Sequence, residues 1–212
     1  VTGALYLGTS GFSYPTWKPG FYPSGTPQRE FLRSYAERFN SVELNTTGYR
    51  LPAEEQFRRW AEETPEDFRF AVKMPHPNRL GAFTDRVHAL GGKLGPVRIV
   101  VQQARNDAFL ARLLDSLDPA LRWAFDFRHE SWAGAETGRV AVVDALEGAA
   151  PFRYLRLREP PYDEADLRGW TARLRPLLDD GIEVYAYFKH EDEPTAPGYA
   201  LRLLELLANN AD

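Results

Sequence analysis

The residues best suited to chemistry in this chain sit at the ends of apolar runs. In Ser41-Val42-Glu43-Leu44-Asn45 the apolar pair alternates with a carboxylate and an amide, so Glu43 and Asn45 point away from the layer that Val42 and Leu44 enter. The same polar phase recurs further on. Lys73 closes Phe70-Ala71-Val72-Lys73, Gln102 ends a run that starts at Pro96, and Asp126 lies in Leu121–Phe127 with Arg128 just beyond it. Tyr154, Arg156 and Arg158 alternate with leucines, and Tyr185, Tyr187 and Lys189 repeat the pattern. A carboxylate and an amine within reach of one another suit metal-free proton transfer when neighbours tune their pKa values apart. Glu43 is therefore the candidate general base or acid, with Lys73 and Asp126 assisting. A lysine among other cations has a depressed pKa, which suits proton abstraction or a Schiff base. Arg128, Arg156 and Arg158 present the planar fork that grips phosphate or carboxylate.

These groups converge only if the elements carrying them lie side by side. Apolar runs over Ala4–Gly8, Ser41–Asn45, Phe68–Lys73, Pro96–Gln103, Leu121–Phe127, Val140–Leu146, Phe152–Arg158 and Glu183–Phe188 read as strands. Helical spacing separates most of them, over Gln28–Phe39, a segment opening at Pro52, Thr84–Leu90, Asp107–Leu117, Glu164–Leu178 and Tyr199–Ala208. Such alternation implies parallel strands with right-handed crossovers, and a count near eight predicts an α/β fold of the TIM-barrel-like (β/α)8 type. The usual barrel has roughly 250 residues. This chain has 212, so it is a trimmed single domain over 1–212. The trimming falls between the fifth and sixth strands, where Ala133-Gly134-Ala135-Glu136-Thr137-Gly138 predicts a crossover without a full helix.

In a closed parallel barrel, side chains near the carboxyl ends of the strands line the site. The polar phase places two carboxylates (Glu43, Asp126) against five cations (Lys73, Arg128, Arg156, Arg158, Lys189), in a chain whose net charge is −4. A concave site of that sign focuses anions, so a phosphorylated or otherwise anionic small molecule is the expected ligand of an isomerase, lyase or hydrolase. Thr9, Ser10, Tyr14, Trp17, Asn45, Tyr49, Arg50 and Tyr187 complete the expected binding set. A nucleic acid is the alternative, with Trp17, Tyr14 and Tyr49 as stacking platforms; a binding module that has lost its chemistry is a third reading. Each residue also has a plainer role. Glu43 suits a structural ion pair with Lys73 or an arginine, and Trp17, Tyr14 and Trp132 suit loop packing.

Several classes drop out on composition. The chain has no cysteine, which excludes disulfides and thiolate chemistry. His76, His88, His129 and His190 lack close metal-ligand spacing, and no G-x-S-x-G, P-loop or G-x-G-x-x-G motif occurs, so neither a metal nor a cofactor is expected. No apolar run approaches the ~18 residues of a membrane span, and Val1-Thr2-Gly3-Ala4 lacks the charged and apolar regions of a signal peptide. A soluble, cytoplasmic protein without a membrane partner is expected; the residues set no oligomeric state.

Gly8-Thr9-Ser10-Gly11-Phe12-Ser13-Tyr14 with Trp17, Val42-Glu43-Leu44-Asn45-Thr46 through Tyr49-Arg50-Leu51-Pro52, and Phe70-Ala71-Val72-Lys73 resemble the DUF72 (YecE-like) family. Gly92-Lys93-Leu94-Gly95-Pro96, Phe127-Arg128 with Ser131-Trp132, Tyr154 with Arg156-Leu157, and Val184-Tyr185 through Tyr187-Phe188 extend the resemblance over nearly the whole chain. It implies a TIM-barrel-like fold and supplies no reaction. The chain departs from the family's pattern at Phe12, Gly48, Arg158-Glu159 and Lys189-His190, and in a shorter region after Trp132.

Overall fold

The computed structural model describes residues 2–75, 80–190 and 192–209. Along them run eight strands: β1 Leu5–Thr9, β2 Ser41–Leu44, β3 Arg69–Lys73, β4 Leu94–Val101, β5 Trp123–Phe127, β6 Ala141–Val142, β7 Phe152–Leu157 and β8 Glu183–Phe188. Helices α1 Phe31–Ala36, α2 Glu54–Glu62, α3 Leu80–Val87, α4 Asp107–Ser116, α5 Glu164–Asp179 and α6 Thr195–Asn209 intervene. All strand pairs are parallel, as the alternation of elements predicts. A continuous eight-stranded ladder does not form. The strands make a three-stranded sheet, β1-β8-β7, and a five-stranded sheet, β2-β3-β4-β5-β6.

Side chains explain both interruptions. Between β1 and β2 the ladder is reduced to a single bridge, Ser10 to Glu43. The β1 edge is satisfied instead by Asn40, whose Oδ1 accepts from the Leu7 N–H at 3.0 Å and whose Nδ2 donates to the Leu5 carbonyl at 2.8 Å. The Tyr35 hydroxyl accepts from the Thr9 N–H at 2.7 Å and donates to the Ser41 carbonyl at 3.1 Å. These two side chains take up backbone groups of Leu5, Leu7, Thr9 and Ser41 that a neighbouring strand would otherwise pair. At the other seam β6 is two residues long where seven were expected, because the backbone turns at Asp144 with φ of 68°. The Asp144 N–H donates to the Tyr154 carbonyl at 2.8 Å and its Oδ1 accepts from the Arg156 N–H at 2.6 Å. One aspartate thus takes the place of two residues of strand.

Between β5 and β6 there is only a 3₁₀ turn, Glu130–Trp132. Trp132 covers the sheet where a helix would lie: it is buried, stacks on Phe127 with ring centroids 4.5 Å apart, and donates from Nε1 to the Gln103 carbonyl. Other helix bounds shift modestly. The first is split into a 3₁₀ turn, Gln28–Glu30, and α1, and a 3₁₀ segment His88–Lys93 follows α3.

The outward phase of the strands forms the main core. Leu44, Phe70, Val72, Ile99, Val101, Phe125, Leu155, Leu157, Ala186 and Phe188, expected between strands and helices, are all buried. The inward phase forms a second cluster, in which Ala71, Ala124 and Ala141 from the five-stranded sheet face Phe152, Tyr154, Tyr185 and Tyr187 from the other. Small residues on one side leave the volume that large rings fill on the other.

Leu44→Asp should prevent stable folding, since an unpaired buried carboxylate costs several kcal/mol against a total of about 5–15 kcal/mol. A denaturation midpoint equal to the parent's would show the strand phase to be misread. Gly8→Ala tests the first seam. A Cβ there would overlap the Ser41 carbonyl oxygen and the Tyr35 hydroxyl, so a loss of about 1–3 kcal/mol is expected in chemical denaturation. No loss would mean that the seam opens freely.

Candidate functional site

The inward phase of β2 drives Glu43 into the space between the sheets, where it is fully buried. Its Oε1 accepts from the Tyr154 hydroxyl at 2.7 Å and lies 2.9 Å from Arg156 Nε and 3.0 Å from Arg98 Nε. Its Oε2 accepts from Asn45 Nδ2 at 3.0 Å and Arg156 Nε at 3.1 Å. Burial alone would raise the carboxyl's pKa. The charges of Arg98 and Arg156, with the Tyr154 hydroxyl, outweigh it and hold Glu43 below the usual carboxylate range. The carboxylate accepts hydrogen bonds on both oxygens, from Tyr154, Asn45 and Arg156, while Arg98 adds charge at 3.0 Å without a hydrogen bond from its Nε, so Glu43 is better placed to hold arginines than to take a proton.

Arg98, which the sequence reading passed over, joins this carboxylate to the next. It is 2% exposed and donates from NH1 to Asp126 Oδ2 at 2.6 Å and from NH2 to Asn45 Oδ1. The charges of Glu43 and Asp126 raise its pKa despite the burial that opposes them. Parity was the one signal for it, since Arg98 shares the inward phase of Gln102 just past the end of β4, but the apolar run around Arg98 masks the charge. Asp126 Oδ2 also accepts from Arg128 NH2 at 2.7 Å and lies 4.0 Å from Arg156 NH1. Arg158 pairs with Asp144, a second residue the sequence reading did not single out. Partial burial keeps Asp144's pKa above its usual value, opposed by the Arg156 N–H and by Arg158. Arg128 remains 40% exposed at this rim, and its pKa is lowered by burial and by repulsion from Arg158, Arg156 and Arg98, which the Asp126 charge opposes.

A polar cluster after β1 borders the same network. Ser10 is buried, its Oγ accepts from the His190 N–H at 3.1 Å, and it lies 3.4 Å from His190 Nδ1. Tyr14 donates to the Ser10 carbonyl and stacks on the imidazole with centroids 4.6 Å apart. Burial and the Glu43 charge push Tyr14 up to about 12. Partial burial and the charge of Lys189 lower the His190 pKa. Thr9 is buried against Tyr35, and Tyr187 is buried with its hydroxyl 2.7 Å from Ser41 Oγ. Trp17 is wholly buried against Tyr14, Phe21 and Tyr22 and presents no face for stacking.

The remaining candidates lie apart. Lys73 sits over the ring of Tyr49, 4.5 Å from its centroid, and Tyr49 is 83% exposed. Gly48 permits this, since a Cβ there would overlap the stem of Lys73. Arg50 is exposed on a neighbouring cleft, and Lys189 is exposed beyond β8. His88 pairs with Asp118, His129 caps a turn at Ser131, and His76 lies outside the described residues. Among the described residues no three His, Asp or Glu side chains are grouped to hold a metal, and no helix is long and apolar enough to cross a membrane.

Glu43→Gln should cost about 3–5 kcal/mol at neutral pH, because it leaves buried guanidinium charge uncompensated. Glu43's folded pKa lies below its ordinary 4.5, so its contribution is complete above that value and is lost as pH falls through the folded one. Urea midpoints of parent and variant should therefore converge on going from about pH 7 to about pH 3. A gap that stays constant would rule out the charged network as its source.

A model described as "Protein of unknown function DUF72" matches residues 6–212. UPF0759 protein YecE of Escherichia coli (strain K12) is 32% identical over 139 residues, covering 59% of this chain and 48% of that protein. UPF0759 protein YunF of Bacillus subtilis (strain 168) is 32% identical over 69 residues, 32% of this chain and 23% of that one. The matches therefore span about half, or less, of those relatives' length. A crystal structure of a DUF72 family protein from Thermotoga maritima MSB8 superposes with a TM-score of 0.82 at 26% identity, over 97% of this chain and 99% of that one. One from Enterococcus faecalis V583, at 16% identity, gives 0.79 over 97% and 98% and speaks for the fold alone. With its family model covering the chain almost end to end, this protein belongs to the DUF72 family.

Proposed function

We propose that this protein binds a phosphorylated or carboxylated small molecule at the carboxyl ends of β2, β5 and β7, and that it is an isomerase or lyase acting by proton transfer beside the bound anion. The observation that carries the reading is the partly exposed Arg128, held at the rim next to Arg156 and Arg158 while its acceptor Asp126 is already shared with Arg98. Cationic forks outnumber the carboxylates that face them, and a bound anion supplies the missing charge. Glu43 and Asp126 take the positioning role in this reading, and Lys73, on its own ledge with Tyr49, stays outside the reaction. The proton carrier is His190, whose imidazole is steadied by Ser10 and Tyr14 and feels the charge of Arg156. The two sheets act together as one trimmed eight-stranded barrel, their seams stitched by Asn40, Tyr35 and Asp144, in a single cytoplasmic domain.

Thermal-shift measurements with inorganic phosphate, sugar phosphates and dicarboxylates at two salt concentrations test this. At a hundredfold excess over Kd a true ligand raises Tm by roughly 5–10 °C. The shift should survive added salt and shrink in Arg128→Ala, whose exposed side chain leaves the buried network intact. A shift that Arg128→Ala leaves untouched would remove the arginine rim from the site. A response only to oligonucleotides, collapsing steeply with salt, would move the function to nucleic-acid binding.

A further inference from the structure

Beside the arginine rim, and separate from it, lies a cleft of about 890 Å³ between the loops after β1 and β2, the turn before α1 and the flanks of α2 and α3. Its volume is within the roughly 300–1,000 Å³ of small-molecule sites. Arg29, Arg50, Arg59 and Arg86 line it, against one carboxylate, Glu63. Arg59 is paired with that carboxylate at 3.3 Å, and Arg86 NH1 donates to the Pro52 carbonyl at 3.3 Å, which leaves further guanidinium donors facing the cleft. The Arg50 guanidinium has no partner among the described residues. The apolar part of the wall presents three half-buried rings, Phe12, Tyr14 and Trp60, with half-buried Leu51, while Leu32 and Leu44 are buried. Trp60 is fixed by edge contact with Phe57, centroids 5.6 Å apart, so it offers a settled surface.

We infer that this cleft is a second binding site, for an aromatic ring that carries a phosphate or carboxylate. The ring lies against Phe12 and Trp60, where offset or edge contacts add to its burial, and the anion is taken by Arg50 with Arg86 at the cleft edge. The flat faces of Phe12, Tyr14 and Trp60 favour a ring over an aliphatic chain, for which the half-buried Leu51 is the one cleft leucine left partly uncovered. Asn45 forms part of the wall and also hydrogen-bonds Glu43 and Arg98, so occupancy of the cleft is felt at one end of the buried network.

The test is calorimetric titration of the full chain with phenyl phosphate, with hexanoate as the aliphatic comparison, in an Arg128→Ala background that removes the most exposed arginine of the rim described above. Phenyl phosphate should bind in that background, more tightly than hexanoate. Adding Arg50→Ala should weaken it about tenfold, the effect of one charge-assisted hydrogen bond, and Arg86→Ala should weaken it further. Both arginines are exposed, and an unchanged circular dichroism spectrum and Tm would assign the loss to binding. The inference is overturned if phenyl phosphate no longer binds once Arg128 is removed, if neither Arg50→Ala nor Arg86→Ala alters its affinity, or if hexanoate binds more tightly.

Discussion

The burial of one carboxylate governs the interior of this protein. A carboxylate with no exposed surface carries a desolvation cost of several kcal/mol, which is offset only by close countercharge and full hydrogen bonding. Glu43 has countercharge from Arg98 and Arg156 and hydrogen bonds from Arg156, Tyr154 and Asn45. Meeting its needs places further demands on the fold. Arg98 is itself buried and requires Asp126, and Asp126 in turn reaches the rim through Arg128. Bulky guanidinium groups need room, which the alanines of β3, β5 and β6 leave. Three strands of one sheet and one of the other are thereby tied through a single chain of charges.

That chain also explains why the two sheets hold together without a continuous ladder. Strand pairing is cut at β1/β2 and at β6/β7, and the Glu43–Arg156 ion pair joins the two sheets across the space between them, from β2 to β7. Asn40 and Tyr35 serve one seam and Asp144 the other, each satisfying backbone groups that a neighbouring strand would otherwise take. Asp144 further holds Arg158, so the seam and the arginine rim are one feature. The aspartate that shortens β6 is the same residue that orients a cation beside the site.

Period-2 alternation made most of the fold legible in the sequence. β8 was bounded to the residue, and the outward apolar phase identified side chains that are all buried. The glycine-rich crossover also read correctly, since Gly134 and Gly138 mark a segment that holds no helix, only a 3₁₀ turn. The seams were not legible, because they depend on the side chains of Asn40, Tyr35 and Asp144 reaching backbone groups distant in sequence. Nor was the sharing of ion pairs. Alternation gives the face on which Glu43 and Lys73 emerge, but not that Lys73 turns to Tyr49 in the space left by Gly48. Arg98 was hidden by its surroundings, a lone charge within Val97-Arg98-Ile99-Val100-Val101, which reads as an uninterrupted buried strand.

The hydrogen bonding of Glu43 fits a positioning part rather than a reacting one. A carboxylate that accepts hydrogen bonds on both oxygens and sits below its ordinary pKa is a poor base, and the lack of exposure denies it a substrate. Its value lies in rigidity: Arg156 is clamped through Nε, which leaves the outer face of the guanidinium to point toward the rim. Preorganised charge of this kind binds an anion without reorganising on arrival. Asp126 restrains Arg128 at a single nitrogen, so the more exposed arginine keeps donors for a ligand that its neighbours cannot satisfy. Partial burial and the charges of Arg158, Arg156 and Arg98 together lower the Arg128 pKa against the pull of Asp126, so the rim carries unrelieved repulsion among its cations.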